Sequence, residues 1–117
     1  MSREDLRIAD YLGHMLEAIR RIDEYTSAVN YQDFIRGKII QDAVLRNIEI
    51  IGEAARNIER AAPDFAAAHS EIAWTVIYTM RNRIAHGYFQ VDLEIVWRTI
   101  RTDLPKLKLT LDKLVRN

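Results

Sequence analysis

One eight-residue segment collects the side chains best suited to chemistry. Between residues 81 and 88 stand an arginine, an asparagine, a histidine and a tyrosine, namely Arg81, Asn82, His86 and Tyr88. An arginine is a permanent cation that binds phosphate oxygens in pairs, and a histidine exchanges protons near neutral pH. Cleavage of a phosphodiester bond requires both of these functions.

The residues before this segment predict the helix that positions it. Apolar residues recur at helical spacing between Ile72 and Ile84. One stripe contains Ala73, Val76, Ile77, Met80 and Ile84. Gly87 is expected to close this helix, so that His86 is about its last residue. The partial negative charge of a helix C-terminus would then favour an imidazolium by ~1–2 kcal/mol.

Arg81 is expected on a second, aromatic face of the same helix. Trp74, Tyr78, Arg81 and Ala85 follow one another there at helical spacing. Such a face predicts packing against another helix, with the arginine in a cleft or at a seam between subunits. On a straight helix Arg81 and His86 lie ~140° apart. They meet only if the helix ends at His86, if the arginine reaches round, or if the two belong to different subunits.

The segment resembles a known motif. Arg81 is followed directly by Asn82, then by His86 after four intervening residues, and by Tyr88 two positions later. This pattern is similar to that of the HEPN superfamily, and specifically to HepT-like proteins, the toxin partners of MntA-type minimal nucleotidyltransferases. Residues 47–55, 72–74 and 88–97 also fit that family in the expected order. The resemblance therefore covers nearly the whole chain.

The resemblance implies a metal-independent endoribonuclease whose two subunits line one cleft. His86 would act as acid or base around the 2′-hydroxyl, Arg81 would stabilise charge on the phosphate, and Asn82 would orient the phosphate or the histidine. The nucleotidyltransferase would attach AMP to Tyr88 and so stop cleavage. Glu53 is expected to support Arg81. The alternative is structural: His86 caps a helix, and Arg81 pairs with Glu53 or another carboxylate.

Length and composition predict one domain, residues 1–117, of an ordinary globular protein. Of its residues 49% are apolar and 29% charged, with only four glycines and two prolines, which indicates an all-helical chain. The 17 basic and 17 acidic residues cancel, which argues against nonspecific coating of nucleic acid. Thirteen of the cations are arginines, the better phosphate ligands, so the composition is compatible with a local RNA-binding cleft.

Several classes of site are not expected. The chain has no cysteine, hence no disulfide and no thiolate metal site. Its three histidines lack metal-ligand spacing, and no glycine-rich phosphate loop is present, so neither a metal nor a nucleotide cofactor is expected. A cytoplasmic protein without a membrane segment is expected, because neither a signal peptide nor a long apolar run is visible.

Apolar periodicity predicts an up-and-down bundle of four long helices plus a short extra one, with a HEPN-like fold. The first helix begins after Ser2, with Asp5 completing a capping box, and runs to about residue 28. Its apolar stripe contains Ile8, Leu12, Met15, Ile19 and Ile22. The second covers about 33–60, after a short connection. A short element begins at Pro63, and Ser70 is expected to cap the third helix.

The fourth helix is expected to begin at Asp92. Its apolar stripe repeats like a heptad: Leu93, Trp97, Ile100, Leu104, Leu107, Leu111 and Leu114. Pro105 removes one backbone donor, so a kink is expected there without loss of the stripe.

The second helix is apolar on two faces. Its main stripe contains Ile40, Val44, Ile48, Ile51, Ala55 and Ile58, and a neighbouring face carries Ile39, Ala43 and Ile50. A helix with a surplus apolar face is either central or shared with another chain. The sequence therefore predicts a homodimer through the second faces of helices two and three.

The leading hypothesis is a ribonuclease toxin neutralised by its cognate nucleotidyltransferase. The alternative is a non-catalytic helical binding module that partners the nucleotidyltransferase and helps to present its nucleotide or substrate. A plain helical dimerisation domain would explain the apolar stripes but not the motif. Because a scaffold has no need for Arg81, Asn82, His86 and Tyr88 together, the motif favours the first hypothesis. The sequence does not identify the RNA.

Overall fold

The computed structural model describes residues 2–86 and 90–116, apart from the side chains of residues 81, 83, 85, 86, 90 and 116. These residues form seven α-helices, one π-helical turn and one antiparallel pair of two-residue strands. The elements are α1 Arg3–Thr26, α2 Tyr31–Arg36, α3 Lys38–Ala61, α4 Pro63–Ala68, α5 Trp74–Ile84, β1 Ala85–His86, β2 Gln90–Val91, α6 Leu93–Arg98, the π-turn Thr99–Asp103 and α7 Leu104–Arg116. The predicted all-α bundle with four principal helices is confirmed.

The first helix forms as its sequence predicts. Ser2 Oγ accepts a hydrogen bond from the N–H of Asp5 (3.0 Å), and the Asp5 carboxylate accepts one from the N–H of Ser2 (3.3 Å). This is the predicted capping box. Every member of the predicted stripe is buried: Ile8, Leu12, Met15, Ile19 and Ile22. Because α1 packs on α3 and α3 also packs on α5, α3 is the central helix of the bundle.

The predicted second helix is interrupted at Gly37, so the prediction of one helix over 33–60 is wrong. Asn30 caps α2 by accepting a hydrogen bond from the N–H of Asp33 (2.8 Å), and the predicted connection forms the first turn of α2. Gly37 has φ −96° and ψ 87°, outside the helical region. A Cβ at this position would meet the Asp33 carbonyl oxygen at 3.1 Å. The glycine therefore permits the tight turn between α2 and α3.

The central helix α3 carries the predicted core stripe and leaves part of its second stripe in solvent. The core stripe is buried or half-buried along its length: Ile40, Val44, Ile48, Ile51, Ala55 and Ile58. In the second stripe Ala43 and Ile50 are half-buried, whereas Ile39 is 86% exposed. The homodimer predicted from this stripe stays a prediction, because the structure contains one chain.

The short helix α4 begins with Pro63 at its first turn, as predicted. The next helix, α5, begins at Trp74, four residues after Ser70, so the prediction that Ser70 caps it is wrong. No helix in the described residues is both long enough and apolar enough to cross a lipid bilayer.

The buried face of α5 differs from the predicted one. Ala73 and Val76, expected in the core stripe, are exposed, whereas Trp74, expected on the second face, is only 5% exposed. Met80 and Ile84 are buried as predicted. The large indole occupies the core at the start of the helix, which turns the smaller side chains outward. Trp74 is therefore not available to a cleft or a subunit interface.

The segment α6, the π-turn and α7 follow one another without interruption and form the fourth principal helix. The predicted stripe lies in the core or packs against it: Leu93, Trp97, Ile100, Leu104, Leu107, Leu111 and Leu114. The irregularity predicted at Pro105 takes the form of the π-turn Thr99–Asp103 just before it. A π-turn accommodates the backbone where proline cannot donate a hydrogen bond.

Candidate active site

The start of α5 is anchored through one side chain. The indole Nε1–H of Trp74 donates to the carbonyl oxygens of Ala66 (3.0 Å) and His69 (3.2 Å), at the end of α4 and just beyond it. The ring also lies near Phe65, with ring centroids 6.3 Å apart. A buried indole needs such a partner for its N–H. These contacts fix where α5, the helix that carries Arg81 and Asn82, begins.

The middle of α5 approaches α3 closely at a glycine. A Cβ on Gly52 would lie 3.4 Å from the carbonyl oxygen of Ile77 and 3.4 Å from the Cα of Tyr78. A glycine in the middle of a helix indicates that another helix approaches closely, and the backbone of α5 does lie close to α3 at Gly52. A methyl group would still fit at this position in ordinary van der Waals contact, whereas a larger side chain would have to push α5 away.

Two contacts beyond Gly52 in α3 show that α3 and α5 run antiparallel. Thr75 Oγ1 donates to Glu59 Oε2 (3.2 Å), and the guanidinium carbon of Arg56 lies 5.6 Å from the centre of the Tyr78 ring. Later residues of α3 therefore pair with earlier residues of α5. Since both helices rise by the same distance per residue, these side-chain contacts put Arg81 level with Glu53, whereas the contact of Gly52 with Tyr78 puts it level with Glu49.

The backbone of Arg81 therefore lies level with the stretch of α3 between Glu49 and Glu53. Glu53, which the sequence nominates as the support of Arg81, is exposed, and so is Glu49. Both carboxylates line the same surface cavity, together with Gly52, Arg56 and Tyr78. The role of Glu53 stays a prediction, and Glu49 joins it as a second candidate. In the sequence, the position of Glu49 three residues before Gly52 would have been the only sign that it lies near Arg81.

The helix ends at Ile84, so the prediction that His86 is its last residue is wrong. Ala85 and His86 form β1, which pairs antiparallel with β2 in the register Ala85 with Val91 and His86 with Gln90. The carbonyl oxygen of Ile84 accepts a hydrogen bond from the N–H of Asp92 (2.8 Å). The helix dipole therefore stabilises an imidazolium at His86 less than the sequence predicts, because the effect of the dipole falls off beyond the last turn of the helix.

Asp92 joins the three elements that surround the motif. Its backbone N–H binds the end of α5, it directly follows β2, and its Oδ1 accepts a hydrogen bond from the N–H of Ile95 (3.1 Å) in the first turn of α6. The predicted N-cap at Asp92 is confirmed. The sequence gives no sign of the bond to Ile84, because that bond depends on a hairpin that apolar periodicity does not reveal.

The structure places the predicted site residues on two adjoining elements. Arg81 and Asn82 belong to the last turn of α5, where the Asn82 side chain is exposed, and His86 belongs to β1. The separation of ~140° expected on a straight helix no longer applies, because the chain leaves the helix between Arg81 and His86. The predictions for Gly87 and Tyr88 lie outside the described residues.

The other two histidines lie on α1 and just after α4, and His14 on α1 lines a surface cavity with Glu49 and Glu53. His69 stacks on Phe65 with ring centroids 4.5 Å apart, and its Nδ1 lies 3.2 Å from Glu71 Oε1. The backbone N–H of Glu71 lowers the pKa of its own carboxyl group, and the contact with His69 adds to that shift. His14 is exposed on α1. Within residues 2–86 and 90–116 no three His, Asp or Glu side chains cluster as metal ligands would.

The fold and the motif can now be set beside known proteins. The sequence matches the family described as Ribonuclease HepT-like over residues 15–114, and the chain belongs to this family. A relative from Thermococcus cleftensis, named "Probable ribonuclease HepT", is 43% identical over 90% of this chain and 93% of its own length.

Two relatives from Methanocaldococcus jannaschii are also similar. "Putative RNase MJ1380" is 35% identical over 92% of this chain and 94% of its own length. "Gamma-glutamylcyclotransferase and putative RNase MJ0434" is 41% identical over 97% of this chain, which corresponds to 49% of that longer protein. No solved structure matches the chain.

Proposed function

We propose that this protein is a metal-independent endoribonuclease, the toxin of a pair whose other member is an MntA-type nucleotidyltransferase. The observation that carries the proposal is the hairpin. It begins directly after the last turn of α5, so that a histidine and an arginine stand on adjoining elements tied by the bond from Asp92 to Ile84. Membership of the Ribonuclease HepT-like family and the names of the relatives support the same activity.

The proposed reaction uses the RNA's own 2′-hydroxyl as nucleophile. His86 takes the proton from this hydroxyl or returns one to the departing 5′-oxygen. The 2′-oxygen forms a bond to phosphorus while the bond to the 5′-oxygen breaks, which leaves a 2′,3′-cyclic phosphate and a 5′-hydroxyl. Arg81 stabilises the charge on the phosphate oxygens. Asn82, exposed beside Arg81, orients the phosphate or the histidine.

The test is cleavage of a defined RNA by purified protein in the presence of a chelator. We expect cleavage that leaves cyclic phosphate ends. Arg81→Ala should lose this cleavage. Arg60→Ala, which removes an exposed arginine near the end of α3, should keep it. A requirement for added metal would contradict the mechanism. A protein that cuts no RNA yet binds the nucleotidyltransferase would instead be the non-catalytic binding module.

We further propose that the active form is a homodimer in which the outer face of α3 contributes to the interface. The exposed Ile39 lies on this face, together with Arg46 and Glu53. Arg46 and Glu53 lie equally far from the midpoint between Glu49 and Ile50. In an antiparallel pair of α3 helices related by a two-fold axis at that midpoint, Arg46 of one copy would face Glu53 of the other, twice.

The dimer is tested by sedimentation at micromolar concentration. Arg46→Glu and Glu53→Arg should each weaken association, and the double exchange Arg46→Glu/Glu53→Arg should restore it, since the pairs are re-formed with reversed charge. A 13.7 kDa monomer in the unsubstituted protein would defeat the dimer. Glu53→Gln that stays dimeric but loses cleavage would instead favour the role predicted from the sequence, support of Arg81.

We propose that the nucleotidyltransferase silences the protein by attaching AMP to Tyr88. An added phosphate near Arg81 would occupy the site meant for the RNA phosphate, held by a charge-assisted contact of ~1.5–3 kcal/mol. Tyr88→Phe should remain toxic and escape neutralisation by the partner. Mass spectrometry of the co-expressed pair should find one or more AMP units on the peptide that contains Tyr88. An unmodified peptide from a silenced protein would mean that the partner acts by occlusion.

A further inference from the structure

We propose that Asp92 is a positioning residue for His86, acting through the cap that its side chain places on α6. This inference rests on the proposed function. The backbone connects the two residues by a short path. His86 pairs with Gln90 in the hairpin, Val91 follows, and Asp92 closes the hairpin through its N–H to the Ile84 carbonyl oxygen (2.8 Å). The cap therefore lies two residues along the chain from Gln90, the strand position that faces His86.

The cap also fixes the chain where it passes from the hairpin into α6. Asp92 Oδ1 accepts from the N–H of Ile95 (3.1 Å), which fixes the direction in which the chain leaves the hairpin and enters α6. The helix itself is held by Val96, which is fully buried, and by the Trp97 ring, which lies 5.3 Å from the Phe34 ring between centroids. Without the side-chain acceptor, the first turn of α6 loses one of its few partners, and the hairpin loses its fixed end.

A second cap in the molecule provides a matched control. Ser2 Oγ accepts from the N–H of Asp5 (3.0 Å), the same bond from the third helical residue that Asp92 receives from Ile95. Both caps begin principal helices of the bundle. Ser2 precedes α1, which packs chiefly on α3. The two caps therefore separate loss of a helix cap from loss of the path to His86.

The experiment compares cleavage kinetics of a defined RNA by Asp92→Ala, Asp92→Asn and Ser2→Ala. We expect Asp92→Ala to lower kcat at least tenfold with KM changed less than twofold, because the phosphate ligands remain while the histidine is displaced. Asp92→Asn should restore kcat to within threefold, since asparagine caps helices as well as aspartate. Ser2→Ala should leave kcat within twofold. Equal kcat in Asp92→Ala and Ser2→Ala would overturn the proposal, and so would an Asp92→Asn as inactive as Asp92→Ala.

A second arm does not depend on ribonuclease activity. The ring Cε1–H resonances of the three histidines are recorded by NMR and assigned by His→Gln substitution. Asp92→Ala should shift the His86 resonance and change its titration midpoint, whereas Ser2→Ala should not, and those of His14 and His69 should stay in place in both variants. If Asp92→Ala does not fold, Asp92→Gly removes the same acceptor at a smaller cost to the helix. An unmoved His86 resonance contradicts the proposal even if the protein cuts no RNA, and a protein that cuts no RNA while the resonance moves refutes the proposed function alone.

Discussion

At its start α5 is held by a buried side chain, whereas at its end the chain is held by backbone hydrogen bonds. Trp74 fills the core and donates to two carbonyl oxygens, so its identity is fixed by packing. Beyond Ile84, the hairpin register and the bond to Asp92 depend on the backbone rather than on side chains. The backbone of His86 is therefore placed by its pairing with Gln90.

The largest expected effect is on stability, at the packed end. Trp74→Ala should lower the free energy of unfolding by ~3–5 kcal/mol, because it removes a large buried side chain together with its hydrogen bonds. Val76→Ala should change it by less than ~0.5 kcal/mol, since Val76 is 48% exposed. Urea denaturation of both variants measures the difference. If Val76→Ala lowered the free energy of unfolding as much as Trp74→Ala or more, the core stripe predicted from the sequence would be the correct one.

A smaller effect is expected where α5 crosses α3. Gly52→Leu should destabilise the protein by ~1–3 kcal/mol, because the side chain must push α5 away from α3, and RNA cleavage should fall as Arg81 moves with the helix. Gly13→Ala, in α1, is the matched control. Among the described residues no atom lies within 4 Å of a Cβ built on Gly13, so this change should stabilise the helix by ~0.5–1 kcal/mol. A fully stable and active Gly52→Leu would mean that the close approach is not required.

The sequence was sufficient for the elements whose patterns are regular. The stripes of α1 and α3, the capping box at Ser2 and the cap at Asp92 are all local features, and the structure confirms them. The close approach at Gly52 was also predictable, because glycine in mid-helix has few other reasons to be there. The motif itself is a local feature too, since arginine, asparagine and histidine follow one another within six residues.

The features that the sequence did not predict depend on competition between residues or on contacts distant in the chain. Helical spacing allowed two faces of α5 to be the core face, and only the fold decides that Trp74 rather than Val76 fills it. The break at Gly37 depends on one tight contact with the Asp33 carbonyl oxygen. The hairpin after Ile84 has strands of only two residues, too short for an alternating pattern to appear.

The measurement that tests the account most directly is the rate at which His86→Ala cleaves a defined RNA in the presence of a chelator. If His86 is the acid or base of the reaction, the rate should fall by ~10²–10⁴. The thermal midpoint should stay close to that of the unsubstituted protein, because β1 is held by its backbone pairing. His69→Gln, in the connection between α4 and α5, should cleave at the unsubstituted rate. A folded His86→Ala that cleaves RNA as fast as the unsubstituted protein would contradict the account.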